Sequence, residues 1–466
     1  MHLYIRKRIN RIKTVRFSLF FTLLAISAIP LIYMLIRSAL HFPSDHHYNL
    51  HSNLIWGMYV FEVAIETLIF PIYYLFGITI KDNKKTANKI KTTLLLFIGV
   101  FSVLTLVMFF ISPMLISNRI KDVSEAANVI SYIRIELFAI VLSAIAKFLL
   151  IVLQLKGNKK SLFGYLALYI GSMILMDSLI VAPYAPYSLG VNGIAITNIV
   201  ASLVVLIYSY LYIRHEFNFK EFKKDKLSFK WFHLYYHVGE HAFIDAVLLN
   251  ADRILFLIAV GSGIHGYLDL NSFFGVFIML PFIALGDTLK CDLATSINYH
   301  HKAGVIKANV QGYMFVNLAL IIIMVVASIF TVPLFNSLAN IHYFEEGISS
   351  SLATIIPLMI VIYSIKAFQN IYDSAFFGLG ELGYMTKQAI LVTVIVYLPA
   401  IIVLRLGVNF DMWTLTLVLL IVIIVDSIAT LYYYRFMLKT YEEGKGDPSV
   451  HHYPIKDGIA EEFINE

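Results

Sequence analysis

The chain has 466 residues, of which 59% are hydrophobic and only 14% are charged. Soluble globular proteins carry about 25% charged residues, so this composition excludes a soluble globular protein and predicts an integral membrane protein. The net charge of +6 is spread over separate loops, which argues against a nucleic-acid-binding surface.

Twelve segments of mostly apolar residues follow one another along the chain. Each is near the length of about 20 residues that a helix needs to cross ~30 Å of hydrocarbon. The predicted spans are residues 17–42, 53–77, 91–116, 129–154, 161–184, 190–214, 236–261, 268–296, 306–336, 350–378, 384–406 and 411–438. The first span is longer than the apolar core of a signal peptide, and no small-residue cleavage site follows it. The predicted fold class is an all-α polytopic membrane protein with twelve transmembrane helices.

Lysine and arginine are concentrated in every second loop. They precede the first span and follow the second, fourth, sixth, eighth and tenth spans, whereas most of the intervening loops carry neither residue. The loop after the third span, with Arg119 and Lys121, is the exception. By the positive-inside rule, we expect a multi-pass protein of the inner or plasma membrane with both termini in the cytoplasm.

Short internal matches predict a repeat. The tetrapeptide LGVN precedes span six at 189–192 and span twelve at 406–409, and glycine-centred turns follow span four at Gly157 and span ten at Gly380. These matches share an offset of roughly 220 residues, which is typical of duplicated halves. We therefore predict two pseudo-symmetric six-helix lobes. The predicted domains are an N-terminal lobe (1–214), a cytoplasmic linker (215–235), a C-terminal lobe (236–438) and a cytoplasmic tail (439–466).

Four segments carry a family resemblance, which extends over roughly residues 55 to 400. They are IETLIFPIYYLFGITIKDNKKTANK, AANVISYIRIELFAIVLSAIAKFLLIVLQLKGNKK, SLGVNGIAITNIVASLVVLI and FQNIYDSAFFGLGELG. Their patterns of small residues resemble helices two, four, six and ten of the multidrug and toxin extrusion (MATE) transporters, whose superfamily also contains lipid-linked oligosaccharide flippases.

The resemblance implies two lobes that alternate between inward-open and outward-open states. It implies cation-coupled antiport, driven by H+ or Na+, that exports an amphipathic organic substrate. The alternative is a flippase for lipid-linked oligosaccharide or another anionic lipid.

The resemblance also implies positions for cation coupling. In the first lobe of MATE proteins, acids on helices one and five and polar residues on helices four to six form a cation site, and Asp177 and Thr197 match two of those positions. The acid of helix one is missing. Arg37 lies on that helix instead, and we expect it to compete with a cation by pairing with Asp177, which lies within reach of Thr197. Acids on helices seven and ten of other members correspond to Asp245, Asp252 and Asp373.

Charged residues inside apolar spans are a second source of site candidates, because each costs at least ~2.5 to 3.5 kcal/mol at the bilayer centre. Glu62 and Glu66 lie one turn apart on span two. Two such carboxylates repel each other when both are ionised, which suits proton uptake; the alternative is that both lie in a water-filled mouth.

Span ten supplies a polar stripe, in which Lys366, Gln369 or Asn370, and Asp373 share one helix face. We expect this stripe to line a substrate cavity. Lys366 and Asp373 are ~10.5 Å apart along the helix axis, so each needs its own partner. The first candidate partner for Asp373 is Lys290, and Lys366 is expected to meet Asp245, Asp252 or the substrate. The substrate-cavity candidates are Lys366, Gln369, Asn370, Asn250, Lys290 and Asp287.

Structural roles are the alternative for several of these charges. Asp287 near Lys290, and Asp252 beside Arg253, are spaced to form local ion pairs. Lys147 and Asp292, near cytoplasmic helix ends, are expected to reach the interface in the way that long polar side chains do.

The substrate class stays open between two readings. The 29 Tyr and 35 Phe residues suit an organic cation, whereas lysines on helix faces suit an anionic lipid. The sequence has no metalloprotease motif, paired aspartates or phosphate-binding loop, and Cys291 is its only cysteine. We therefore expect no enzyme activity, no catalytic residues, no metal and no cofactor beyond H+ or Na+ as coupling ion. The expected partners are a small organic or lipid-linked substrate and membrane lipids, without nucleic acid, for a monomeric protein.

Overall fold

A computed structural model describes residues 12–41, 46–117, 123–182, 187–219, 227–260, 265–296, 303–339, 346–406 and 412–443. Within these residues the secondary structure is helical, without strands, and comprises twelve helices. They are α1 (Phe17–His41), α2 (His46–Gly77), α3 (Asn83–Ser117), α4 (Val123–Lys156), α5 (Lys159–Ile180), α6 (Val191–Glu216), α7 (Phe232–Val260), α8 (His265–Ser296), α9 (Ala303–Ala339), α10 (Glu346–Leu379), α11 (Leu382–Arg405) and α12 (Met412–Glu442). A π-helical segment, Thr393–Tyr397, lies within α11.

The helices coincide with the twelve predicted spans and confirm the predicted fold class. Eight of them contain stretches that are long and apolar enough to cross a membrane, judged by length and composition over the described residues. Their outer faces carry large apolar side chains, such as Phe110 and Ile323, which are 69% and 63% exposed. Because a soluble surface rarely exposes extended apolar patches, these faces fit a lipid environment, and the chain is a multi-pass membrane protein.

The chain divides into two compact units. The N-terminal unit is Ala25–Gly239, and the C-terminal unit consists of the described parts of Met1–Leu24 and Glu240–Glu466. One boundary, after Gly239, lies a few residues beyond the predicted linker. The other, after Leu24, divides α1 between the two units, and the predicted domains did not include this division. The exact lobe boundaries stay a prediction.

Neighbouring helices pack in the same pattern in both units. In the N-terminal unit the packed pairs are α2–α3, α2–α4, α3–α4, α4–α5, α4–α6 and α5–α6. In the C-terminal unit, each of these pairs recurs six helices later, as α8–α9, α8–α10, α9–α10, α10–α11, α10–α12 and α11–α12. This agreement supports the two pseudo-symmetric six-helix lobes.

The repeated turns are also equivalent. Gly157 after α4 and Gly380 after α10 both have left-handed backbone angles, with φ of 71° and 78°. Each donates its N–H to a carbonyl of the preceding helix, Gly157 to Leu153 at 3.1 Å and Gly380 to Phe377 at 3.3 Å. Glycine is favoured there because the left-handed region penalises a Cβ atom. The predicted glycine turns are therefore confirmed.

The end of the predicted linker and the start of α7 pack on the N-terminal unit. The indole N–H of Trp231 donates to Thr92 Oγ1 at 3.0 Å. Asn88 and Ser228 exchange two hydrogen bonds, at 2.9 and 3.0 Å. Tyr235, which is buried, donates its hydroxyl to the carbonyl of Leu68. These contacts explain why the unit continues to Gly239.

The entry to α1 is held within the C-terminal unit by Asp292 of α8. Arg16 Nη1 lies 3.1 Å from Asp292 Oδ1, and the backbone N–H of Arg16 approaches the Tyr313 hydroxyl at 3.4 Å. That hydroxyl donates to Asp292 Oδ2. Asp292 therefore contacts a guanidinium and a phenol of the same unit. The expectation that it reaches the membrane interface stays a prediction.

Candidate functional site

Asp177 on α5 is the centre of a buried polar network in the N-terminal unit. Its carboxylate is 2% exposed, and Arg37 of α1 is 6% exposed. Arg37 Nη2 lies 2.8 Å from Asp177 Oδ1, and the Tyr33 hydroxyl donates to Asp177 Oδ2 at 2.7 Å. The predicted pairing of Arg37 with Asp177 is therefore present. Both carboxylate oxygens have a donor, which is the condition under which a buried ion pair is tolerated.

The network continues from Arg37 to two further helices. Arg37 Nη1 approaches Asn198 Oδ1 on α6 at 3.4 Å. The amide of Asn198 donates in turn to Glu136 on α4, at 3.0 Å to Oε1 and 3.1 Å to Oε2. Tyr33, Arg37, Asp177, Asn198 and Glu136 are called the Asp177 network below. It connects α1, α4, α5 and α6.

Thr197, the second residue matched to the family's cation site, is fully buried. Its hydroxyl makes no hydrogen bond in the described part of the chain. The expected contact between Asp177 and Thr197 is therefore not made through a hydrogen bond, because Arg37 and Tyr33 supply the donors to both oxygens of Asp177. Any role of Thr197 in cation coupling stays a prediction.

Asp426 on α12 is the centre of a second cluster, in the C-terminal unit. Gln369 of α10 donates its amide to Asp426 Oδ2 at 2.8 Å, and Gln388 of α11 donates to Asp426 Oδ1 at 2.6 Å. Both glutamines are 5% exposed. Ser427 donates to the side-chain oxygen of Gln369 at 3.2 Å. Neutral amides, rather than a guanidinium, therefore hold this carboxylate.

Asp373 on α10 joins the same cluster. The Thr430 hydroxyl approaches Asp373 Oδ1 at 3.5 Å and also donates to the Asp426 carbonyl at 3.0 Å. Asp426 and Asp245 of α7 both lie close enough for their charges to act on Asp373. Lys366 lies within electrostatic range of Asp426. The Asp426 cluster is defined as Asp245, Lys366, Gln369, Asp373, Gln388, Asp426, Ser427 and Thr430.

Lys290 is not the partner of Asp373, so that prediction is wrong. Lys290 Nζ lies 2.8 Å from Asp287 Oδ1, three residues earlier on α8. The ammonium also lies 4.9 Å from the centre of the Phe377 ring. The local ion pair that was considered as the alternative is the arrangement found, because residues three apart share a helix face.

The polar stripe of α10 divides between two neighbours. Gln369 and Asp373 face residues of α11 and α12, as described above. Asn370 instead donates to the Phe282 carbonyl of α8 at 2.8 Å. Its amide nitrogen would lie only 2.7 Å from a Cβ atom added at Gly286. Asn370 therefore packs α10 closely against α8, and it does not share the surroundings of Gln369. Lys366 is exposed, and its place in a substrate cavity stays a prediction.

Glu62 and Glu66 are near a cation of the same unit. On α2, Glu62 is exposed and Glu66 is half-buried. Lys147, on the exposed face of α4, interacts electrostatically with both. A role for the two glutamates in proton uptake stays a prediction.

The side chains of Asn250 and Asp252, the remaining predicted site residues, lie outside the described part of the chain. Across the residues that are described, no group of three or more His, Cys, Asp or Glu side chains is arranged to hold a metal ion.

Seven members of the two sites were not among the predicted site residues: Tyr33, Glu136, Asn198, Gln388, Asp426, Ser427 and Thr430. Two of them carried a signal, because Glu136 and Asp426 are carboxylates within apolar spans. The other five, which are uncharged, carried none. Their importance depends on which neighbouring helix they face.

Known structures share this fold. The chain is similar to a Vibrio cholerae MATE transporter, VcmN in its bent form, with a TM-score of 0.75 and 14% identity over 94% of this chain and 99% of that one. An outward-facing multidrug resistance MATE family transporter of the MOP superfamily gives a TM-score of 0.73 and 13% identity, covering 93% and 96% of the two chains.

A third similar structure is a MOP superfamily transporter from Pyrococcus furiosus. Its TM-score is 0.75 and its identity 13%, covering 93% of this chain and 96% of that one. A reversed polarity of that protein's binding pocket has been described as suggesting a different function. No protein-family model matches the chain, and no curated protein matches it. The chain therefore has the fold of the MATE transporters of the MOP superfamily.

Proposed function

We propose that the protein is a secondary active transporter that exports an amphipathic organic substrate by alternating access, in exchange for H+ or Na+. The fold it shares with MATE transporters supports transport as the general activity. The Asp426 cluster is the observation that carries the coupling to a cation. It places two carboxylates, Asp245 and Asp426, within electrostatic range of a third, Asp373, inside an apolar helical unit.

The cluster carries more negative than positive charge. Amides and hydroxyls bond Asp426 and Asp373, and Lys366 is a cation within electrostatic range of Asp426. Several carboxylates close together in a low-dielectric site repel one another, and each charge is costly in a membrane. Binding of H+ or Na+ relieves that repulsion, and release to the other side of the membrane completes a coupling cycle.

Membrane placement belongs to the same proposal. We place the protein in the inner or plasma membrane as a monomer, with both termini in the cytoplasm. The alternating basic loops support this orientation. Transport as proposed needs no catalytic step and no cofactor other than the coupling ion.

The test is transport by the purified protein in liposomes that carry an imposed proton or sodium gradient. We expect accumulation of a fluorescent organic cation only when a gradient of the opposite direction is present. A protonophore or a sodium ionophore, added separately, identifies the ion whose gradient drives the movement. The antiporter function would be rejected if a broad panel of organic cations entered these liposomes no faster than protein-free liposomes, with or without a gradient.

A flippase for lipid-linked oligosaccharide or another anionic lipid is the second candidate. Lys147 and Lys366 favour it, because both are exposed side chains on helices with apolar surroundings, and an ammonium attracts a phosphate group. The same liposomes test it with a fluorescent lipid diphosphate in place of the organic cation. Movement of that lipid between leaflets, without uptake of organic cations, would favour the flippase.

A further inference from the structure

The Asp177 network contains one guanidinium and two carboxylates. Arg37 is its cation, and Asp177 and Glu136 are its acids. The guanidinium is bonded directly to Asp177 and reaches Glu136 only through Asn198. If both acids are ionised, the network therefore carries one excess negative charge, and that charge lies on Glu136.

Both oxygens of Asp177 already accept hydrogen bonds from donors of the protein, one of them charged. Arg37 occupies one of its oxygens at 2.8 Å and the Tyr33 hydroxyl the other at 2.7 Å. A proton on Asp177 would remove a buried, charge-assisted pair, and the stranded guanidinium would be strongly unfavourable. Asp177 is thus held in its ionised form by the protein's own cation.

Glu136 has different surroundings. Its described hydrogen-bond partner is the neutral amide of Asn198, which donates to both oxygens, and its side chain is half-buried rather than sealed. A neutral amide can donate a hydrogen bond to the protonated acid and to the carboxylate, because this bond does not depend on an ion pair. Protonation of Glu136 therefore brings the network to a net charge of zero without breaking the Arg37 pair.

The groups around Glu136 come from each helix of the network. They are Tyr132 on α4 itself, Arg37 and Tyr33 from α1, Asp177 and Tyr169 from α5, and Asn198 from α6. Of the other two helices that pack on α4, α2 carries the acids Glu62 and Glu66, which act electrostatically on Lys147, and α3 presents the Phe109 ring to Arg134. Arg37, already paired, is the cation acting on Glu136.

We propose that Glu136 is the carboxyl group that takes up and releases a proton in the N-terminal unit, and that Arg37 replaces a bound cation at Asp177. This inference rests on the proposed function and assigns its coupling chemistry in that unit. In the uptake step a proton binds one oxygen of the Glu136 carboxylate to form the neutral acid, while Asn198 stays bonded to the other oxygen. The Asn198 bond to the protonated oxygen is given up in this step, and release of the proton restores it.

A proton fits this site better than Na+ does. Hard metal cations need several oxygen ligands with free lone pairs. Both oxygens of Glu136 accept from the Asn198 amide, and the Asn198 oxygen faces Arg37 at 3.4 Å. A proton needs only one carboxylate oxygen.

Infrared difference spectroscopy of the purified protein in lipid, recorded on a change from alkaline to acidic pH, tests the proposal without requiring transport. We expect a carbonyl band of a protonated carboxylic acid that is lost completely in Glu136→Gln. The matched comparison is the double variant Arg37→Gln with Asp177→Asn, which removes the ion pair without leaving either charge unpaired. That variant should keep the band.

Three results would overturn the assignment. The first is an unchanged set of carboxylic acid bands in Glu136→Gln. The second is loss of the band in the double variant while Glu136 is intact. The third is a Glu136-dependent spectral change on adding Na+ at constant pH. A protein that shows the Glu136 band but transports no substrate would reject the proposed function and leave this inference standing.

Discussion

The two units pack the same six pairs of helices, yet they balance buried charge in different ways. In the Asp177 network a guanidinium neutralises a carboxylate directly, with tyrosine and asparagine completing the bonds. In the Asp426 cluster two glutamine amides hold one carboxylate beside two others. The same arrangement of helices therefore does not impose the same partners on a buried carboxylate. One unit supplies its own cation at its central acid, Asp177, and the other surrounds its central acid, Asp426, with neutral amides.

The largest effect is expected from breaking the ion pair of the N-terminal unit. Arg37→Gln leaves the Asp177 carboxylate buried without its cation, at a cost of about 3 to 5 kcal/mol. We expect a large fall in thermal stability and in the amount of protein in the membrane, measured by unfolding of the detergent-purified protein. Arg214→Gln, which changes an exposed arginine, is the control and should unfold like the wild type.

The double variant Arg37→Gln with Asp177→Asn sharpens that prediction. It should recover much of the stability lost in either single variant, because neither charge is then stranded. A double variant as unstable as the sum of the two single variants would show that the pair is not the reason for the loss.

The second effect concerns Gln369 and Gln388, the two amide donors to Asp426 in the C-terminal unit. Gln388→Ala removes one of the two donors to Asp426 and leaves a buried acceptor unsatisfied, which costs about 1 to 3 kcal/mol. We expect an intermediate fall in unfolding temperature. Lys387→Ala, at the exposed neighbouring position, is the matched control. Equal stability of these two variants would show that the hydrogen bond from Gln388 to Asp426 does not stabilise the protein.

Substitution of Lys366 tests a role in transport that is independent of folding. We expect Lys366→Ala to lose most substrate transport while it accumulates and unfolds like the wild type, because an exposed side chain contributes little packing. Transport by the reconstituted variant is measured beside Lys307→Ala, an exposed lysine on α9. Full transport by a well-folded Lys366→Ala variant would remove the lysine from the substrate site.

The smallest effect is expected for the local pair on α8. Lys290 and Asp287 are three residues apart and each is partly exposed, so the pair contributes no more than about 1 kcal/mol. The double variant Lys290→Gln with Asp287→Asn should transport and unfold almost as the wild type does. A loss of transport comparable to that of the Lys366 variant would return these two residues to the substrate site.

The sequence predicts some features of this molecule well and others poorly, for physical reasons. The helices follow from apolar length, and the Gly157 and Gly380 turns follow from a backbone conformation that favours glycine. The Arg37 pair with Asp177 was predictable because a missing acid and an unexpected cation occur where the family resemblance places a charge.

Side-chain partners between helices were harder to predict. In the sequence Lys290 is the first candidate partner for Asp373, but the periodicity of a helix does not tell which neighbouring helix each of its faces meets. Gln369 and Asn370 are adjacent in sequence and bond different helices. The sequence gives Gln388 no special role, because its bond to Asp426 exists only where α11 packs on α12. Such contacts require the packed structure.

The most direct test is gradient-driven substrate flux in liposomes for two variants, each of which removes an acid from one of the two sites. Asp373→Asn changes the Asp426 cluster, and the double variant Arg37→Gln with Asp177→Asn changes the neutralised pair. Asp82→Asn is the control for the chemical change, since Asp82 is an exposed residue that bonds the Lys85 N–H and asparagine caps a helix equally well. We predict that flux no longer follows the ion gradient in Asp373→Asn and still follows it in the other two variants. Gradient-driven flux that persists in Asp373→Asn but disappears in the double variant would contradict the assignment of coupling to the Asp426 cluster.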